Sequence, residues 1–189
     1  IVMSLGRVIP ASIVAVIALR TMRARLLPPK EDLVRVLGLT IGVVIAFPVI
    51  TSYGLEHITP GQAGVLGALG PIITAALSVL YGHKHPGRIF WIASSLGTLS
   101  AIGFALTRSA DDPGDGDLLW YGLMLLAVVL WCWGQVTGGT LTGKHHSIQI
   151  LAWAILLGTP INAVIAGVDL WLNPLAEWPT VSAWFGFLY

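Results

Sequence analysis

The chain has 189 residues, a formal net charge of +1 and charge on 10% of its residues, whereas soluble domains carry charge on about a quarter of theirs. Together with a mean hydropathy of +0.83, this excludes a soluble globular domain, leaves lipid as the solvent for most of the surface, and predicts no nucleic-acid partner. The single cysteine, Cys132, has no partner within the chain, which excludes a disulfide framework and a cysteine-based metal site.

Apolar segments recur along the whole length rather than only at the start, so a signal peptide does not explain them. A bilayer core of about 30 Å asks for about 20 helical residues per crossing. On that measure the complete crossings are 33–53, 62–81, 89–106, 118–136 and 148–168, with partial ones at 1–19 and from about Val181 to Tyr189. The predicted fold class is all-α, a polytopic membrane helix bundle. The chain opens on Ile1, inside a hydrophobic segment, and reads as a fragment of a longer protein.

The segment 1–19 carries Arg7, an ionisable residue within a membrane span. Such residues are expensive enough in lipid to be functional suspects. Snorkelling or structural pairing competes here with anion recognition. The following loop holds Arg20, Arg23, Arg25, Lys30 and Arg35 in or beside it, the third loop Lys84 and Arg88, and the fifth Lys144. Loops rich in Lys and Arg stay cytoplasmic. The second, fourth and sixth loops carry Glu56, then Asp111, Asp112, Asp115 and Asp117, then Asp169 and Glu177, and are assigned to the outside.

In 33–53, Gly38, Gly42, Ala46 and Tyr53 share a side. Between Thr59 and Gly82 the chain carries no charge, and at about 100° per residue Gly64, Gly67, Pro71, Thr74, Ser78 and Tyr81 gather on one face opposite Val65, Leu69, Ile72, Ala76 and Leu80. One face suits lipid; the other suits protein or a cavity. In 89–106 the small-residue stripe is Ala93, Gly97, Ala101 and Ala105, flanked by Ser94 and Thr98. Stripes of this kind read first as packing surfaces. Prolines at 10, 48, 71 and 160 permit kinks.

Between 118 and 138, Trp120, Met124, Ala127, Trp131, Gln135 and Gly138 align at spacings of four, three, four, four and three. An amide facing lipid would leave donors and acceptors unpaired, so Gln135 is expected to point inward. Trp120 suits an interfacial aromatic belt, and Trp131 is the deeper cavity candidate. Gln149, Trp153 and Pro160 align similarly on the next helix. Glu56 and His57 read as an exposed loop. His83, His85, His145 and His146 lie in two cytoplasmic loops, neither of which supplies a transmembrane ligand or an acidic partner, so no metal and no cofactor are expected.

The run GLEHITPGQAGVLGALGPIITAALSVLYG, followed by a basic loop and IFWIASSLGTLSAIGFAL, resembles the third to fifth helices of an EamA repeat in the drug/metabolite transporter superfamily. DGDLLWYGLMLLAVVLWCWGQV resembles the opening helix of a second repeat. Pro71 falls at the repeat's mid-helix proline, and Arg7 where the family often has an arginine early in its second helix. The family's usual Gly-Glu after the fourth helix is Gly82-His83 here, so a role attached to that glutamate is not carried over.

The resemblance implies a ten-helix protein of two inverted five-helix repeats, with residues 1–108 covering the first repeat without its first helix and 118–189 the start of the second. It also implies a multi-pass cell-membrane protein, of bacterial inner-membrane type, that moves a small organic metabolite by alternating access, the expected cargo being an exported amino acid or related compound. The expected substrate lining is Tyr53, Thr74, Ser78 and Tyr81, with Trp131 and Gln135 opposite and Arg7 as carboxylate partner. Gly64, Gly67 and Gly97, with the kink at Pro71, are expected to let helices slide. The competing reading is a non-transporting membrane subunit or scaffold. An intramembrane enzyme would need a nucleophile, base or metal triad at matched depth, which the sequence does not offer.

Overall fold

The computed structural model describes residues 8–82, 87–109 and 118–172. Among them run six helices, here α1 (Val8–Thr21), α2 (Leu33–Gly54), α3 (Pro60–Leu80), α4 (Arg88–Ser109), α5 (Leu118–Gly139) and α6 (Ser147–Leu172). Four of these, α2, α3, α5 and α6, are long and apolar enough to cross a membrane. The 22 residues of α5 span about 33 Å at about 1.5 Å per residue, enough for the hydrocarbon core. At most a third of each such span is buried inside the protein, and Leu80, Ile89, Leu118 and Val164 stand outward. That surface requires an apolar solvent. The protein is a multi-pass membrane helix bundle.

Packing places the helices in the spatial order α4, α3, α5, α2, α6, α1. The main core lies where α1, α2 and α6 meet, around Leu19, Val36, Leu39, Val44, Ile150, Trp153 and Ala154, with Leu141 from the connection after α5. A smaller core at the opposite end joins Ile58 and Ala63 to Met124, beside Trp120 and Tyr121. Arg23, at a positive φ of 51°, breaks the chain after α1.

Close approach of helices depends on particular glycines. A Cβ on Gly42 would run into the Leu130 carbonyl oxygen and come within 3.0 Å of Gly134 Cα. On Gly158 it would stand 2.6 Å from Val44 Cγ1. Gly64, Gly67 and Gly97 meet nothing within 4 Å. The tight helix contacts of the described residues therefore lie on α2, α5 and α6, at Gly38 and Gly42 of the stripe read from sequence and at Gly134, Gly138 and Gly158, not at Gly64, Gly67 and Gly97.

The tight stretch of α2 is also its irregular one. Thr40–Ala46 winds as a π-helix, whose wider turn leaves carbonyls to be satisfied from elsewhere. The Thr40 hydroxyl bonds the Val36 carbonyl at 2.8 Å and reaches the Ala154 carbonyl at 3.3 Å, and Asn162 Nδ2 donates to the Val44 carbonyl at 2.9 Å. Asn162 is 1% exposed, so Asn162→Ala leaves a buried carbonyl without this donor. It is expected to cost about 1–3 kcal/mol, read as a lower melting temperature in detergent. An unchanged melting temperature would remove Asn162 from the account of the π segment.

Asp169 differs from expectation. It belongs to the last turn of α6 and is buried, not an outer-loop residue, because the helix continues past the apolar stretch 148–168.

Candidate functional site

α3 is built from two helical pieces, Pro60–Gly67 and Gly70–Leu80. The first starts with a full capping box, the Thr59 side chain accepting from the Gln62 N–H and Gln62 Oε1 accepting from the Thr59 N–H. The second starts at Gly70-Pro71, where proline has no N–H to continue the ladder. Neighbouring helices take up carbonyls at this break. Thr98 of α4 donates its hydroxyl to the Ala68 carbonyl at 2.9 Å, and the Cys132 thiol of α5 points to the Gly70 carbonyl at 3.4 Å. The kink is thus pinned on two sides.

Beside it lies a hollow of about 380 Å³, lined by Gly70, Pro71, Thr74, Ala75 and Ser78 of α3, Phe90 of α4 and Trp131 of α5. The indole of Trp131 is held against Phe47 of α2, ring centroids 5.7 Å apart and tilted by 34°. A Cβ on Gly70 would lie 3.3 Å from Trp131 Cζ3, so glycine there lets the ring sit against the backbone of the kink. Two hydroxyls and two aromatic rings face a mainly apolar space. The space has the size of a small-molecule pocket, about 300–1,000 Å³.

Of the residues expected from sequence, Pro71, Thr74, Ser78 and Trp131 meet in this hollow. Gln135 does not. It is exposed rather than turned inward, and it lines a separate hollow of about 350 Å³ with Leu39, Gly138, Gly139, Thr142, Ser147, Ile150 and Leu151. Four residues along α5 displace it by one helical turn, about 6 Å. Tyr81, 46% exposed, accepts a 2.8 Å hydrogen bond from Trp133 Nε1 at the end of α3. Tyr53 is 39% exposed at the end of α2, and its carbonyl is 3.1 Å from His57 Nδ1. Arg7, His83 and His85 lie outside the described residues. Phe90, Gly70 and Thr98 escape the sequence reading, since their roles depend on how α4 and α5 meet the kink; Thr98 carried the one signal, a hydroxyl beside a small-residue stripe.

At the other end of α5, His57 stacks on Trp120, with centroids 3.7 Å apart and planes within 13°. The acidic partner that sequence reading does not find for the loop histidines is Asp32. Its Oδ2 lies 2.8 Å from His145 Nε2, and its Oδ1 lies 3.5 Å from Lys144 Nζ. The His145 hydrogen bond and the Lys144 charge hold the Asp32 carboxyl below its ordinary range, against the opposing effect of burial. No group of three or more metal-ligating side chains forms among the described residues.

A model of the EamA-like transporter family matches residues 1–106 of the chain. The chain belongs to the EamA-like transporter family. The matched stretch includes α3 with its kink and Phe90 of α4, which closes one side of the hollow. The chain is also similar to a curated protein of Bacillus subtilis (strain 168) described as an uncharacterized transporter, YdeK, at 36% identity over 134 residues. That alignment covers 71% of this chain and 45% of the relative, so the chain spans about half the length of the curated relative it matches. No solved structure matches.

Proposed function

We propose that the protein is a secondary transporter of small organic metabolites, and that the hollow at the α3 kink is part of its substrate path. The carrying observation is the convergence of Thr74, Ser78, Phe90 and Trp131 on one space beside a break in a spanning helix. Broken helices frame the binding sites of many secondary transporters. The kin description as a transporter agrees with this reading, and no catalytic step is assigned to the chain.

Within this reading the substrate is an amino acid or related compound, exported across the cell membrane by alternating access, with Arg7 as the partner of its carboxylate. Substrate class and direction rest on family resemblance. The inverted repeat, with α1 in the first half and α6 in the second, rests on the same resemblance.

The test is solute flux through the full-length protein in proteoliposomes, with amino acids, nucleosides, sugars and cationic drugs as probes. The proposal expects saturable flux of at least one class. Absence of flux for every class in a folded sample would favour a non-transporting membrane subunit.

A further inference from the structure

Asp32 stands at the N-cap of α2, where an aspartate ordinarily accepts a hydrogen bond from the first turn of its own helix. Here its side chain makes no such cap. It is turned across to the connection between α5 and α6, meeting His145 at 2.8 Å and Lys144 at 3.5 Å, and only 5% of its surface is exposed. A carboxylate buried in a connecting loop is tolerated only when paired. The pairing continues inward: the His145 ring lies edge-on to Trp153 of α6 at 5.0 Å, and Trp153 Nε1 donates to the Arg25 carbonyl at 2.7 Å. Lys144 and His145 are the charged or titratable groups that face Asp32 from the α5–α6 connection; Arg35, one turn on in α2, is exposed, as is His146.

Both connections that meet here carry the positive charge that assigns them to the cytoplasm. On the proposed two-repeat organisation, one belongs to each repeat. We propose that Asp32, His145 and Lys144 form an inner latch, a contact between the two halves that must separate for the cytoplasmic end of the path to open. This rests on the transport reading. A short, directional contact at this end gives such a cycle a two-state element, and removing it shifts the population toward the inward-open state.

The test uses full-length protein in membranes with Cys132→Ala and a reporter Ser78→Cys in the hollow. A membrane-impermeant maleimide is applied to right-side-out or inverted vesicles. Asp32→Asn and His145→Gln are each expected to raise labelling from the cytoplasmic face by about three-fold or more and to lower it from the outer face, as a shifted two-state population requires. Lys144→Gln should act in the same direction and more weakly, since Lys144 is half-exposed and farther away. If Asp32→Asn does not fold, the other two variants carry the test. Unchanged cytoplasmic labelling, or an equal rise from both faces as from general loosening, overturns the latch. Failure of the transport reading is seen separately, as absent flux in the unmutated protein.

Discussion

Replacing Gly42 with alanine is expected to destabilise the bundle by at least about 2 kcal/mol, in the range for overpacking a closed site, and to lower its melting temperature in detergent. The added methyl would meet the Leu130 carbonyl oxygen and the backbone of Gly134, neither of which moves without shifting α5. The contact lies in the π segment of α2, beside the carbonyl that Asn162 satisfies. A displaced α5 would also carry Trp131 away from the α3 kink. Alanine at Gly64, Gly67 or Gly97 meets open space and is expected to change stability by less than about 0.5 kcal/mol. Equal sensitivity of the two groups of glycines in melting measurements would contradict this packing.

Trp131→Ala has the largest expected effect on function. The indole forms one wall of the hollow and is braced by Phe47 and by the backbone at Gly70. Loss of that apolar wall from a solute's contacts is worth about 1.5–3 kcal/mol, or a rise in KM of about ten-fold or more. Trp133→Phe removes the hydrogen bond to Tyr81 away from the hollow and should change KM by less than about three-fold, the effect of a single exposed hydrogen bond. Flux kinetics in proteoliposomes decide between them. A KM unchanged by Trp131→Ala would separate the hollow from the substrate path.

The helices and one face of α3 are legible in the sequence because lipid enforces long apolar runs and helical periodicity sorts Pro71, Thr74 and Ser78 onto a single side. Trp131 is legible for the same reason. Other features arise only when helices meet. Gln135 shares a helical face with Trp131, yet one turn of rise puts it in another hollow. Asp169 looks like an outer-loop charge until α6 continues through it, and Asp32, which no pattern in the sequence marks, is buried only by its contacts with the α5–α6 connection. Small-residue stripes occur on several helices, and only crossing geometry distinguishes Gly42 and Gly158, which touch a neighbour, from Gly64, Gly67 and Gly97, which do not. Nothing in TIGVVIA announces a π-helix; its wide turn fits the Asn162 bond from α6 and the Gly134 contact from α5.

Solute protection of a thiol in the hollow tests most directly whether substrate passes beside the α3 kink. Thr74→Cys in full-length protein, with Cys132→Ala, is labelled with a maleimide in the presence of a solute that the protein carries. The account predicts that the solute slows labelling several-fold, with half-protection near its KM for flux. Undiminished labelling at saturating solute, in protein whose flux is intact, would contradict it.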